Sequence, residues 1–517
     1  MGETLPKLNF NILPADVEVG LAEQRILFIG QMTSEGTATA EKLVQNIAND
    51  NSWDTLFGKK SVLANMIRRA RKLCTDCGYQ VAIDAIPLAD STEETASKAS
   101  ATITFAGTAT DTSDVTIVIG SEYYHKYNIS CAKDATASQI ATALKNKIDA
   151  DTKAPFTASV SGAVVTVTAG NTGTIYNNTA IYTEGALEGI TTTITAFSGG
   201  AVDCEVDDDI LALVEQLRYQ AIVSPVEYGI QYIKTELDAR FNTNNKVMDG
   251  VLFVDKTDTL ANHRTALASL NSQNVHYQCD KLVSADNYKG SSVPEFSYIK
   301  ATYNATMRAL RVSEGSQLST VVIGQYPDDI MGGTHNNSLP FFNSKCAYLN
   351  AIKPQYHWKS DEIKELNDNG GSVWNNNASD NGIVMGEQLT TYKTDSAGNE
   401  DITWKYLNYR DTESAVREYR FVNFKKDFAQ SRMNDDTEKV VRNAFIKYYR
   451  ALSSDKFRLL RNGKEALNFY KDNLKISLDF AKGQVTVYCL DPIVTQLREC
   501  IGYFKVTFSL ETGEAVE

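Results

Sequence analysis

No stretch of the sequence approaches the roughly 18 consecutive apolar residues that a membrane-spanning helix needs, so no such helix is expected. Histidine is scarce. The chain of 517 residues has five, His125, His263, His276, His335 and His357, and none sits in a recognisable catalytic constellation. Without a G-x-S-x-G elbow or a comparable frame, a Ser–His–Asp hydrolase finds no support. Nucleotide signatures are missing too: Gly30, Gly36 and Gly58 form neither G-x-G-x-x-G nor a P-loop. The formal net charge of −13 disfavours coating of nucleic acid, which depends on Lys and Arg neutralising phosphates, and mainly indicates solubility. Eight scattered cysteines (Cys74, Cys77, Cys131, Cys204, Cys279, Cys346, Cys489 and Cys500) are too sparse for a disulfide scaffold. Reduced thiols are expected, although in a particle that leaves the cell some could oxidise, even between subunits. Cys74 and Cys77 have the spacing of half a zinc site or of a redox dithiol. No second CxxC follows and the pair comes after a helical stretch, so ordinary partly buried thiols are the expectation.

The opening Met1–Lys7 lacks a charged segment followed by an apolar run, so the protein is expected to stay in the cytoplasm when made. Gly2 would suit N-myristoylation, but Pro6 stands where that motif places Ser or Thr.

What is present reads as several parts, since a chain this long exceeds one hydrophobic core. Leu8, Phe10 and Ile12 alternate with polar residues as an isolated strand. Ile26–Gly30 reads as a buried strand, Ala40–Ala48 and Ser61–Lys72 as helices, and Tyr79–Leu88 as a strand. This βαβ grammar predicts a largely parallel α/β layer. From Ser97 the composition turns to Thr, Ala, Gly and Ser with β-branched alternation, interrupted by one helical segment at Ser138–Ile148 and ending at Ser198–Gly200. The α/β grammar then resumes with a helix at Ile210–Tyr219, strands at Ala221–Val223, Val251–Val254 and Thr320–Gly324, and a helix at Thr259–Leu270. The acidic run Asp203, Glu205, Asp207, Asp208 and Asp209 admits a metal site, but helix capping and the helix dipole explain it more simply.

After Gly386 charged helices are followed by a hairpin in which Leu474, Ile476, Leu478 and Phe480 alternate, then Val485, Val487 and Cys489, around a Lys482–Gly483 turn. A short helix is expected over Pro492–Arg498, and Phe504, Val506, Phe508 and Leu510 form a closing amphipathic strand. The fold class is thus an α/β core split by an inserted β-sandwich, plus an α+β C-terminal domain, with extended terminal strands. The boundaries are an N-terminal arm (1–24), a discontinuous core (25–97 and 201–385), the insertion (98–200), the C-terminal domain (386–503) and a strand arm (504–517).

Charge is uneven along the chain. Between Lys405 and Lys475 there are 17 basic and 10 acidic residues, leaving 34 basic and 54 acidic elsewhere. Within this region Thr437–Leu452 reads as a helix with Val441, Phe445, Tyr448 and Leu452 on one face and Lys439, Lys447 and Arg450 on the other. A basic face of this kind is either simply solvated or offered to a partner. A terminal strand can complete its own sheet. One at each end, beside a hairpin with open edges, raises the alternative of pairing with neighbouring subunits.

Several strings resemble the tail sheath proteins of contractile phages and related injection systems. They are Leu56–Met66, the insertion segments Thr102–Thr108, Ile140–Leu144 and Val165–Gly173, and above all Leu389–Asp395 with Gly398–Asn399 and Trp404–Asn408. Asp491–Pro492, Gln496–Arg498 and the closing strand are similar to the family's end, whereas its Pro-Arg-His-Lys-Leu stretch has no clear counterpart near Arg432. The resemblance implies a structural virion protein, assembled in the host cytoplasm, whose stacked hexameric rings wrap an inner tube and contract without a cofactor to drive the tube through the host envelope. Implied partners are further copies of the chain, the tail tube protein, and baseplate and tail terminator proteins, with neither nucleic acid nor membrane insertion. On this reading Leu8, Phe10 and Ile12 of one neighbour, and Phe504, Val506 and Phe508 of another, flank an acceptor hairpin carrying Ile476, Leu478, Val485 and Val487. Lys439, Lys447 and Arg450 face an acidic tube, and the insertion lies on the outer surface. The rival classes are an α/β hydrolase and a receptor-binding or adhesion protein using the insertion; neither accounts for both terminal strands.

Overall fold

The computed structural model describes residues 24–215, 217–241, 249–311, 345–376, 382–454 and 457–495. The chain enters through β1 (Arg25–Gln31), apolar and buried from Ile26 onward, as expected of a central parallel strand. Two helices follow, α1 (Ser52–Phe57) and α2 (Val62–Asp76), before β2 (Ala82–Leu88) returns parallel to β1 with Ile26 opposite Ile83. The helix expected over Ala40–Ala48 does not form. The backbone amides of Glu41, Val44 and Ile47 donate instead to the Pro87, Ala85 and Ile83 carbonyls of β2 at 2.7, 2.9 and 2.9 Å. An open sheet edge satisfies these groups and overrides local helical spacing. Between α1 and α2, Gly58 has φ +83°, and a Cβ there would fall 1.9 Å from Thr33 Oγ1, so the Leu56-Phe57-Gly58 string needs its glycine. Ser61 then caps α2 by accepting from the Ala64 amide.

The insertion contributes β3 (Ser100–Gly107), β4 (Ser113–Ile119), β5 (Lys126–Cys131), α3 (Ala137–Ala150), β6 (Phe156–Ser161), β7 (Val164–Ala169), β8 (Ile181–Gly185) and β9 (Ile190–Ser198). A capping box between Thr136 and Gln139 starts α3. Two antiparallel ladders result, β6-β7-β3-β9 and β8-β4-β5, and α3 packs against strands of both.

The chain resumes the core with α4 (Asp208–Ala212), β10 (Ala221–Val223), α5 (Ile230–Phe241), β11 (Val251–Asp258), α6 (Leu260–Leu270), β12 (Val275–Ala285), β13 (Tyr288–Ser291), α7 (Ser297–Arg311), β14 (Lys345–Asn350), α8 (Ser360–Asp368), β15 (Gly371–Asn376) and β16 (Gly382–Met385). The helix expected over Ile210–Tyr219 ends at Ala212. Beyond it the Leu213, Val214 and Leu217 amides close three-residue turns that lead the chain into β10. Strands from both sides of the insertion form one parallel run, β2-β1-β10-β11-β12-β15. The far half of β12 turns away to pair antiparallel with β13, which pairs with β8, so core and insertion share a sheet. They share one apolar cluster as well.

The C-terminal region holds α9 (Leu407–Phe428), α10 (Thr437–Leu452), α11 (Lys464–Asn473), β17 (Lys475–Asp479) and β18 (Gln484–Tyr488) around a separate core of Tyr419, Phe445, Tyr448, Tyr449, Leu460 and Tyr470. The helix expected from Pro492 is not seen over 492–495. Pro492 O accepts from the Arg461 amide and the Val494 amide donates to Leu459 O, which ties these residues to the 459–461 segment. Thr320–Gly324, both terminal strands and residues 496–498 lie outside the described residues.

Candidate assembly surfaces of the C-terminal region

The hairpin β17–β18 pairs Ile476 with Val487 and Leu478 with Val485, which places all four side chains on one face. Ile476, Val485, Val487 and Cys489 lie against the C-terminal core, and Leu478 is half-buried at the far end. Lys475, Ser477, Thr486 and Tyr488 point the other way and are exposed, Tyr488 by 56%. Phe480, expected in the strand, instead lies in the loop that closes after Asp479 and is 58% exposed; Gly483 supplies the positive φ of that loop. Among the described residues no third strand pairs with either edge. A bare two-stranded hairpin is marginal by itself, and its open edges are templates for further strands.

The base of the hairpin is anchored by charge. Arg420 of α9 makes a forked pair with Asp491 at 2.6 and 2.5 Å, with side chains only 10% and 9% exposed. Burial alone would lower the Arg420 guanidinium, but the Asp491 carboxylate outweighs it and raises the group overall. A second set of charges joins α9 to the sheet. Arg218 contacts Glu418 at 2.7 Å and Ser414 at 3.1 Å, while Ser414 Oγ donates to the buried Asp249 at 2.6 Å. Arg410 reaches Asp249 at 3.2 Å and the Gly250 carbonyl at 2.8 Å. Burial works against the Asp249 carboxylate, yet Arg410 and Arg218 hold it below its ordinary range. The sequence reading missed these residues. A high Arg content between 405 and 420 was the available signal, without any indication of partners.

On α10, Val441, Phe445, Tyr448, Tyr449 and Leu452 are buried and Lys439, Lys447 and Arg450 are exposed. Asn443, Ile446, Lys447, Arg450 and, from α11, Lys471 line an open cleft of about 380 Å³. Leu8, Phe10, Ile12, Phe504, Val506 and Phe508 lie outside the described residues.

Among the described residues the candidates for chemistry are absorbed by the fold; His335 and Cys500 lie outside them. Cys74 and Cys77 are buried at the end of α2, and burial raises both thiols, Cys77 to about 12, the reverse of an activated dithiol. The acidic run disperses, with Asp207 capping α4 and Asp203 accepting from the Thr174 amide and hydroxyl. Among the described residues no cluster suits a metal ion, and no helix is long and apolar enough to cross a membrane. His276 Nδ1 lies 2.7 Å from Leu389 O, His263 Nε2 2.9 Å from Asp280 O, and His357 Nδ1 2.7 Å from Trp358 O. His125 Nδ1 meets Asp151 at 2.7 Å, and its Nε2 has no hydrogen-bond partner.

No protein-family model matches the chain. A Mu-like prophage FluMu tail sheath protein of Haemophilus influenzae is 23% identical over 452 residues, covering 83% of each chain. Among solved structures, a sheath tail protein from Desulfitobacterium hafniense has a TM-score of 0.47 and 13% identity, over 95% of this chain and 97% of that one. The contracted helical sheath of the anti-feeding prophage has a TM-score of 0.46 and 12% identity, over 97% and 99%. The resemblance to tail sheath proteins drawn from the sequence is thus met by a homologous tail sheath protein aligned over most of both chains.

Proposed function

We propose that the chain is the structural subunit of a contractile tail sheath, one that works by packing against copies of itself and not by catalysis. The observation that carries this reading is the hairpin β17–β18, anchored at its base and without a strand partner on either edge among the described residues, in a chain similar to a tail sheath protein. Residues 8–12 of one neighbour and 504–508 of another add to those edges, giving a four-stranded sheet shared among subunits. Main-chain hydrogen bonds through such arms keep subunits linked while their bodies rotate, and a head-to-tail contact that does not close builds a helical polymer. The subunits stack as hexameric rings around a tube, and the exposed Lys439, Lys447 and Arg450 face acidic groups on it. Exposed pairs of about 1 kcal/mol or less each suit a contact that must release during contraction. The work is stored by assembling in the less stable packing, so no nucleotide is required.

Negative-stain electron microscopy of the chain expressed alone is the test. Hollow striated tubes or stacked rings are expected. A protein that stays monomeric, both alone and on a tube template, would overturn the reading.

A further inference from the structure

Three charged side chains meet where α7 crosses β11 and β12. Lys300 is wholly buried, with Asp255 and Asp280 only 3% and 1% exposed. Lys300 Nζ lies 3.0 Å from Asp255 Oδ1 and hydrogen-bonds Asp280 Oδ2. Hydroxyls fix the Asp280 carboxylate, Ser291 donating to Oδ2 and Ser292 to Oδ1. The Trp374 indole N–H donates to Asp255 Oδ2 at 2.9 Å, while Asp255 Oδ1 receives no aligned hydrogen bond although the ammonium is beside it. Burial pushes the Asp255 carboxyl up to about 6, with Lys300 opposing the rise and Asp280 adding to it. One positive and two negative charges are therefore held out of water, an arrangement that is costly unless the groups pair.

We propose that Lys300 and Asp280 condense to an intramolecular isopeptide bond, with Asp255 carrying the protons. In the buried pair one proton passes from the Lys300 ammonium to the Asp280 carboxylate, leaving a neutral amine against a neutral acid. Nζ attacks Asp280 Cγ, and the Ser291 and Ser292 hydroxyls stabilise the developing oxyanion. Asp255 takes a proton from the nitrogen through one oxygen and gives one to the departing hydroxyl. The Cγ–O bond breaks, water leaves, and Asp255 ends as it began. Ammonium and carboxylate become amide and one water; nothing is oxidised or reduced. Fixed contact supplies the effective concentration that makes such a step feasible without an activating group. The product removes two buried charges and ties α7 covalently to β12, the strand at which core and insertion share a sheet.

Mass spectrometry of the denatured full-length chain tests this. The expected mass is one water below that of the sequence, with proteolysis yielding a branched peptide that joins Lys300 to Asp280. An unreduced mass overturns the proposal. So does a loss of water that maps elsewhere, for instance to a succinimide at Asp249–Gly250. Asp255→Asn and Lys300→Arg, checked for folding by circular dichroism, should both keep the full mass. The same branched peptide in Asp255→Asn would remove Asp255 from the reaction. The readout on the unaltered chain does not depend on either variant folding.

Discussion

Replacing Asp491 by Asn removes a charge and almost no volume, so it isolates the ion pair that anchors the hairpin. Arg420 would remain buried beside Phe445 and Tyr470, with both of its forked contacts weakened. Because the pair is about nine-tenths buried, solvent screening is slight, and removing one partner of a buried pair costs about 3–5 kcal/mol. A domain is stable by only about 5–15 kcal/mol, so a substantial part of the margin of the C-terminal unit is at stake. At about 1.4 kcal/mol per tenfold change, amides of β17 and β18 should exchange with deuterium at least roughly a hundredfold faster. Amides of β11 and β12, in the separate core, should be unaffected. The double variant Arg420→Met, Asp491→Asn should recover part of the loss, since the unpaired guanidinium is removed together with its partner. A change under about 1 kcal/mol, the value of an exposed pair, would refute the idea that this contact holds the hairpin in place.

His276 is pushed from its ordinary 6.5 down to about 4 by burial, so the unfolded chain binds its proton first as pH falls. Stability present above pH 6.5 is then lost progressively toward pH 4, by about 3 kcal/mol at most, and urea midpoints of His276→Gln should show a flatter pH profile over that window. Cys74 and Cys77 should resist alkylation in the native chain at pH 8 and react once it is denatured, which peptide mapping would reveal. Reversing Lys439, Lys447 and Arg450 to Glu should leave polymerisation of the chain alone intact but impair assembly on a tube, as seen by electron microscopy. Equal tube assembly would count against the basic contact.

Where the apolar pattern and the backbone demand coincided, the sequence was legible. Ile26–Gly30 and Val251–Val254 are buried strands because unbroken apolar runs suit both faces of a parallel sheet, and Val441, Phe445, Tyr448 and Leu452 line the buried side of α10. Ala40–Ala48 was misleading because its spacing fits a helix, whereas its amides are claimed by β2, a partner remote in sequence. The same limit applies to β12, whose single run of residues pairs first parallel with β11 and then antiparallel with β13. Pairings such as Lys300 with Asp255 and Asp280, or Arg420 with Asp491, join residues that nothing local connects, so composition reveals charges without revealing their contacts. The hairpin and its open edges were readable from period-2 alternation, but its charged anchor is a property of the assembled fold.

Removal of residues 1–14 tests strand exchange most directly, with the truncated and full-length chains purified in parallel and compared by electron microscopy and sedimentation. With strand exchange, the full-length chain forms tubes or stacked rings while the truncated chain keeps its fold and sediments as a monomer. Normal tubes from the truncated chain would contradict it.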